Sequence, residues 1–243
     1  MLLAEVATTS DAVAATRSRL AKRAAIADLL RRAATDGRPS GDAAASAESV
    51  TDLERATDLE IVVAYLAGAL RQRRTGLGYA ALRDLPPPAT TPTLTVRDVD
   101  AAFAAMAALE GPGSAQARST AAAELFGAAT EREQAFLRGL VAGELRQGAL
   151  DSVVVDAVAE AAGVPAAAVR RAVMLRGDTG PVASAALLAE DPLAALAAFT
   201  LEVGRPVRPM LAQSAPDIAA AFEKLASAEI GRASCRERVS CCV

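Results

Sequence analysis

Apolar residues along this chain return every three or four positions, the spacing of one face of an α-helix. In residues 11–34 they stand at Val13, Leu20, Ile26, Leu29 and Leu30 with basic residues between them, which predicts a helix capped by Ser10. Residues 35–51 are small and polar and read as a loop. Leu53, Ile61, Val62, Tyr65, Leu66 and Leu70 then predict a second amphipathic helix, followed by a glycine turn at Thr75-Gly76-Leu77-Gly78-Tyr79. Pro86-Pro87-Pro88 through Pro92 reads as a stiff, extended connector.

From Thr95 the helices follow quickly. Val99, Phe103, Met106 and Leu109 mark one, ended by Gly111-Pro112-Gly113, and Ser114 to Phe126 another, ended by Gly127. Thr130 and Glu133 have the spacing of a capping box at the start of a helix carrying Phe136, Leu137, Leu140 and Leu145. Ser152–Ala162 (ended by Gly163), Ala166–Leu175 and Val182–Ala189 continue the series. No strand-like alternation of useful length interrupts it. The pattern predicts an all-α fold of eight or nine short helices, one compact domain over residues 1–204. Beyond it Pro206 and Pro209 forbid an ordinary helix, so residues 205–228 read as an extended linker with a short helix at Pro216–Leu225.

Composition narrows the class. Just over half the residues are hydrophobic, but many are alanine, and aromatics are 3% with no Trp, so the core should be close Leu/Val/Ala helix packing. No apolar run approaches the roughly 18 residues a membrane span needs. The start, Met1-Leu2-Leu3-Ala4-Glu5, lacks the basic region of a signal peptide. The expectation is a cytoplasmic monomer without membrane association.

The last fifteen residues, 229–243, stand apart. They hold all three cysteines, Cys235, Cys241 and Cys242, at spacings that fit no zinc site, and the chain has no His to complete one. Glu229 to Val239 is reproduced residue by residue by in-frame translation of a common sequencing adapter, so this stretch is set aside from the fold as non-native. It carries three Arg and two Glu, and without it the net charge moves from −3 to −4. That sign argues against a nucleic-acid partner, but the distribution matters more. Arg17, Arg19, Lys22, Arg23, Arg31 and Arg32 share one predicted helix opposed only by Asp11 and Asp28. Arg71, Arg73 and Arg74 close the next, and Arg170, Arg171 and Arg176 cluster later. The plain alternative is solvated helix faces with Arg near helix C-termini, where the macrodipole favours it.

Catalytic chemistry is thin. Without His or a native Cys most acid–base and nucleophile arrangements are closed, and neither a Gly-Lys-Ser/Thr phosphate loop nor a Gly-x-Gly-x-x-Gly after a strand is present. No metal site and no catalytic residue can be assigned.

Five segments, in order, resemble the N-terminal DNA-binding domain of ATP-dependent DNA ligases. Phe136-Leu137-Arg138-Gly139-Leu140-Val141-Ala142-Gly143-Glu144-Leu145-Arg146-Gln147-Gly148 is similar to the family's helix ending in Gly-x-Leu-Arg-x-Gly, and Asp151 to Ala162 to the helix after it. Gly177-Asp178-Thr179-Gly180-Pro181-Val182-Ala183 resembles a Gly-Asp-x-Gly-x-x-Ala turn, Thr75 to Tyr79 an earlier Gly-x-Gly turn, and Pro206 to Ala212 the linker into the adenylation domain. The alanine- and arginine-rich composition suits an actinobacterial member.

The resemblance implies a domain that grips nicked duplex DNA through the minor groove, largely without reading sequence. It implies Gly143, Arg146 and Gly148 at the phosphates, with Lys22, Arg23, Arg170 and Arg171 as further phosphate contacts. Glycines admit backbone close to a phosphate, and a guanidinium reaches it bidentately. The same glycines read equally as helix C-caps and Arg146 as a dipole partner. ATP and Mg2+ are implied for a full-length parent that seals nicks in replication, repair and recombination, not for this fragment. The family adenylates a lysine within Lys-x-Asp-Gly. Lys22 is followed by Arg-Ala-Ala and Lys224 by Leu-Ala-Ser, so the fragment alone is expected to be inactive, cut before that motif. The competing expectation is a helical protein-interaction scaffold with no nucleic-acid role.

Overall fold

Helix boundaries follow local chemistry for most of the chain. The computed structural model describes residues 1–36, 45–72, 74–78, 82–83, 85–145, 151–208 and 218–227, and the regular structure among these is helical, without a strand. A single isolated bridge joins Leu2 and Thr95. The expected all-α class is therefore observed. Eleven helices stand among the described residues, against the eight or nine expected: α1 Leu3–Ala15, α2 Arg19–Thr35, α3 Ala45–Leu66, α4 Val96–Ala108, α5 Ser114–Ala128, α6 Glu131–Ala142, α7 Asp151–Ala162, α8 Ala166–Arg176, α9 Thr179–Leu188, α10 Pro192–Ala197 and α11 Ile218–Ser227.

Two of the extra helices have a plain origin. The helix predicted over residues 11–34 is two, because the chain turns out at Thr16–Ser18 and restarts with Ser18 as N-cap, its hydroxyl accepting from the Ala21 N–H at 3.3 Å. Ser10, the predicted cap, is instead buried inside α1. The other is α10, six residues opened by Pro192 and capped by Asp191, too short to leave a periodic signal. The predicted loop over 35–51 is also shorter than expected, since α3 starts at Ala45 on a run of good helix formers; residues 37–44 lie outside the described residues. At its other end α3 stops at Leu66, and Gly68 (φ 77°) turns the chain. Arg71 and Arg74 thus sit on a connecting segment, not on a helix, and Arg73 lies outside the described residues.

Residues Met1–Arg208 form one compact unit; α11 belongs to a second, Pro209–Val243, and exposes Ile218 and Phe222. In the first unit α2 lies along α7 and α3 along α9. Tyr65, Phe103, Phe126, Ile26, Leu30 and Leu137 are fully buried at the centre. Each such side chain removed from water contributes about 1.5–3 kcal/mol. Tyr65 and Phe136 meet edge to face at 6.4 Å. The chain start is built in as well. The Met1 amine pairs with Asp36 at 2.9 Å and with buried Asp58 at 3.1 Å, while Arg97 Nε stands 2.8 Å from the other Asp58 oxygen.

One glycine motif and one capping box have architectural roles. Gly177 (φ 79°) ends α8, Asp178 caps α9 by accepting from the Gly180 N–H at 3.0 Å, and Gly180 lets α9 approach α3. A Cβ on Gly180 would stand 3.3 Å from the Glu60 backbone. The predicted capping box at α6 is present: Glu133 accepts from the Thr130 N–H at 2.8 Å and from its hydroxyl at 2.7 Å.

Candidate functional site

The segment between α3 and the proline connector is held by its own polar groups. Arg71 pairs with Asp100 of α4 at 3.2 Å, and Gln72 donates to the Asp100 carbonyl and carboxylate at 3.1 and 3.0 Å. Thr75 is buried, and its hydroxyl accepts from the Leu77 N–H at 3.3 Å, forming a tight turn. Gly76 is required there twice over. Its φ is 71°, and a Cβ would come within 2.9 Å of the Arg118 guanidinium, which is itself fixed on the Met106 and Leu109 carbonyls at the end of α4. Arg74 remains exposed on this turn and makes no ion pair among the described residues.

Facing the turn is the end of α6. Gly143 takes the left-handed conformation (φ 67°), with its N–H turned back on the Gly139 and Leu140 carbonyls and the Glu144 N–H on Gly139 at 2.9 Å. Leu145 folds over the helix, so close that a Cβ on Gly139 would sit 2.7 Å from its Cδ2. Gly143 itself faces open space, with nothing within 4 Å of where a Cβ would stand.

Between turn and helix end lies an open groove of about 500 Å³, lined by Leu70, Gln72, Arg74, Thr75, Gly76 and Leu77 on one side and by Leu140–Gly143 on the other. Two glycine-marked segments far apart in sequence thus share one hollow, where the Gly143 backbone is open and the exposed Arg74 is part of the lining. Such a surface admits a phosphate to close range and supplies a cation for it. It carries no acid–base or nucleophilic machinery, and no group of three or more metal-ligating side chains occurs among the described residues.

Among the described residues, Gly143 is the one predicted contact on this groove. Arg146 and Gly148 lie outside the described residues. The remaining predicted contacts gather elsewhere. Arg23 pairs with Glu160 of α7, Arg170 with Asp156, and Arg171 donates to the Phe199 carbonyl at 3.4 Å, while Lys22 is half-buried on α2. Arg19 joins Asp156 at 3.0 Å, and Arg31 reaches the Glu160 carbonyl at 3.0 Å. Three guanidinium groups of α2 and α8 thus share two carboxylates of α7, and the acid beside Arg31 is Asp28 of its own helix. Arg74 is the residue sequence reasoning missed as a site. Its signal was a cation next to a glycine turn, read there as a helix ending.

The family described as DNA ligase N terminus matches residues 43–159, a span that includes both walls of the groove. Curated relatives named "Probable DNA ligase" are similar along nearly the whole chain. The protein of Beutenbergia cavernae is 68% identical over 233 residues, covering 95% of this chain and 41% of the relative. That of Nocardioides sp. is 54% identical over 230 residues, covering 95% and 42%. That of Mycobacterium sp. strain KMS is 54% identical over 225 residues, covering 93% and 40%. The chain spans about two fifths of the length of these relatives.

Proposed function

The chain belongs to the DNA ligase N-terminal family, and from that premise we propose that it grips nicked duplex DNA through the minor groove without reading base sequence. The observation that carries this reading is the groove where the Gly76 turn and the end of α6 meet, with Arg74 at its rim and Gly143 open to the outside. Gly143 admits a phosphate close to the backbone, Arg74 pairs with it or its neighbour, and Arg146 and Gly148 continue the contact along the strand. Lys22, Arg23, Arg170 and Arg171 contribute a more distant electrostatic attraction. Arg23 and Arg170 are already partly neutralised by Glu160 and Asp156, and exposed pairs of this kind are worth less than about 1 kcal/mol each.

The full-length protein joins DNA ends with ATP and a divalent metal in this reading. The residues of this chain do not fit that chemistry. Neither Lys22 nor Lys224 stands in Lys-x-Asp-Gly, and the described carboxylates form no metal-sized cluster. The role of these residues is to hold and orient the substrate, with the covalent steps supplied by other parts of the protein. No helix among the described residues is long and apolar enough to cross a membrane.

The test is fluorescence anisotropy of a labelled nicked duplex titrated with the chain, alongside Arg74→Ala and Arg146→Ala. Each variant should weaken binding about ten-fold and reduce the salt dependence by about one unit of slope. Incubation with labelled ATP should leave no AMP adduct. Unchanged binding in both variants removes the site assignment. A helical protein-interaction scaffold would leave the chain with no salt-dependent duplex binding at all.

A further inference from the structure

A second hollow, of about 460 Å³, lies beside the groove, and Leu70 lines both. Its charged lining is Glu60, Asp151, Asp178, Arg71 and Arg208. These charges are spent on one another. Arg71 stands 3.5 Å from Glu60, Arg208 stands 3.0 Å from Asp151, and Asp178 caps α9. Three carboxylates against two guanidinium groups do not make an anion site. Arg208, which forms part of its wall, ends the segment 205–208, and that segment is fixed against α8 and the turn after it. The Arg208 N–H donates to the Met174 carbonyl at 2.9 Å, and the Pro206 carbonyl rests where a Cβ on Gly177 would come within 3.3 Å.

Asp151 is the first residue of α7, and Leu70 is common to the lining of its hollow and of the groove of Gly143 and Arg74. Left unpaired, its carboxylate would repel phosphates on the neighbouring groove and oppose their attraction to the helix N-terminus. We propose that Arg208 promotes duplex binding without touching the duplex, by neutralising Asp151, and so couples attachment of the 205–208 strap to DNA. This rests on the DNA-gripping reading above. Linkage makes the coupling reciprocal: duplex that binds better with Asp151 neutralised must also hold the strap more firmly.

Both side chains are substantially exposed, Arg208 at 40% and Asp151 at 53%, so substitutions there leave the core intact. The experiment compares the chain with Arg208→Ala, Asp151→Asn and the double variant, using a nicked duplex at low salt. Arg208→Ala should weaken binding about three- to ten-fold at low salt, and adding Asp151→Asn should restore it. Equal binding by Arg208→Ala overturns the proposal. So does a loss that Asp151→Asn does not rescue, the mark of a direct phosphate contact by Arg208. Hydrogen exchange at the Arg208 amide reads the latch without DNA and should quicken several-fold in Asp151→Asn. If it does not, the latch fails whatever the duplex does. If it does while the unaltered chain binds no duplex, the DNA-gripping reading fails and takes the coupling with it.

Discussion

Gly143 carries two readings that substitution separates. As a helix terminator it needs only its left-handed backbone, φ 67°, a region that costs an ordinary L-residue about 1–2 kcal/mol and asparagine less. No steric charge is added, because nothing lies within 4 Å of the position a Cβ would take. Gly143→Ala should therefore cost about 1 kcal/mol, and Gly143→Asn a few tenths. With a urea slope of about 2–3 kcal/mol/M, the alanine variant shifts the unfolding midpoint down by roughly 0.3–0.5 M. As a phosphate approach, the same open space is where the ligand arrives, and a side chain of either kind fills it. Loss of one charge-assisted contact corresponds to about ten-fold in affinity. Both variants should thus bind nicked duplex about ten-fold more weakly by anisotropy, although only Gly143→Ala is measurably less stable. Binding that follows stability, with Gly143→Asn near the unaltered chain, would show that Gly143 only ends α6 and would refute its place on the interface.

The other expectations concern the scaffold. Gly180→Ala should cost about 1–3 kcal/mol in urea unfolding, because its Cβ would stand 3.3 Å from Glu60 backbone and push α9 off α3; an unaltered midpoint would mean the pair is not close-packed. Asp58→Ala should cost about 3 kcal/mol, since it strips one partner from the Met1 amine and another from Arg97, and a loss under 1 kcal/mol would count against a structural amine. The Asp98 carboxyl is held below the ordinary carboxylate range, first by the Thr95 hydroxyl and then by the Thr95 N–H. Its folded value lies below its unfolded one, so its contribution is present above the ordinary range and is lost as pH falls through the folded value. The stability gap between the chain and Asp98→Asn should therefore narrow from pH 6 to pH 3, and a constant gap would contradict the cap's charge dependence.

What could be read from sequence was mostly what is local. The Thr130–Glu133 box and the glycine ending at Gly163 depend on residues within one turn of each other, and they stand as expected. The break at Thr16–Ser18 was hidden because apolar positions continue on both sides of it, so a single helix fitted the period. Gly127 misled in the opposite direction, lying inside α5, where a Cβ would be 3.5 Å from Pro86 in ordinary contact. The groove was legible only as two separate glycine signals. That Arg74 and Gly143 share it follows from the packing of segments far apart in the chain, as does the pairing of Arg23 and Arg170 with acids of α7. Charge counted along a helix does not say which charges have partners.

The central claim is that this domain holds duplex DNA by its phosphates. The most direct measurement is the affinity of the chain for a nicked duplex of about 20 base pairs between 50 and 200 mM salt. Contacts at three or more phosphates, independent of base sequence, predict a log–log slope near −3 or steeper and equal affinity for duplexes of unrelated sequence. Absence of binding at the lowest salt, or affinity that does not change with salt, would contradict it.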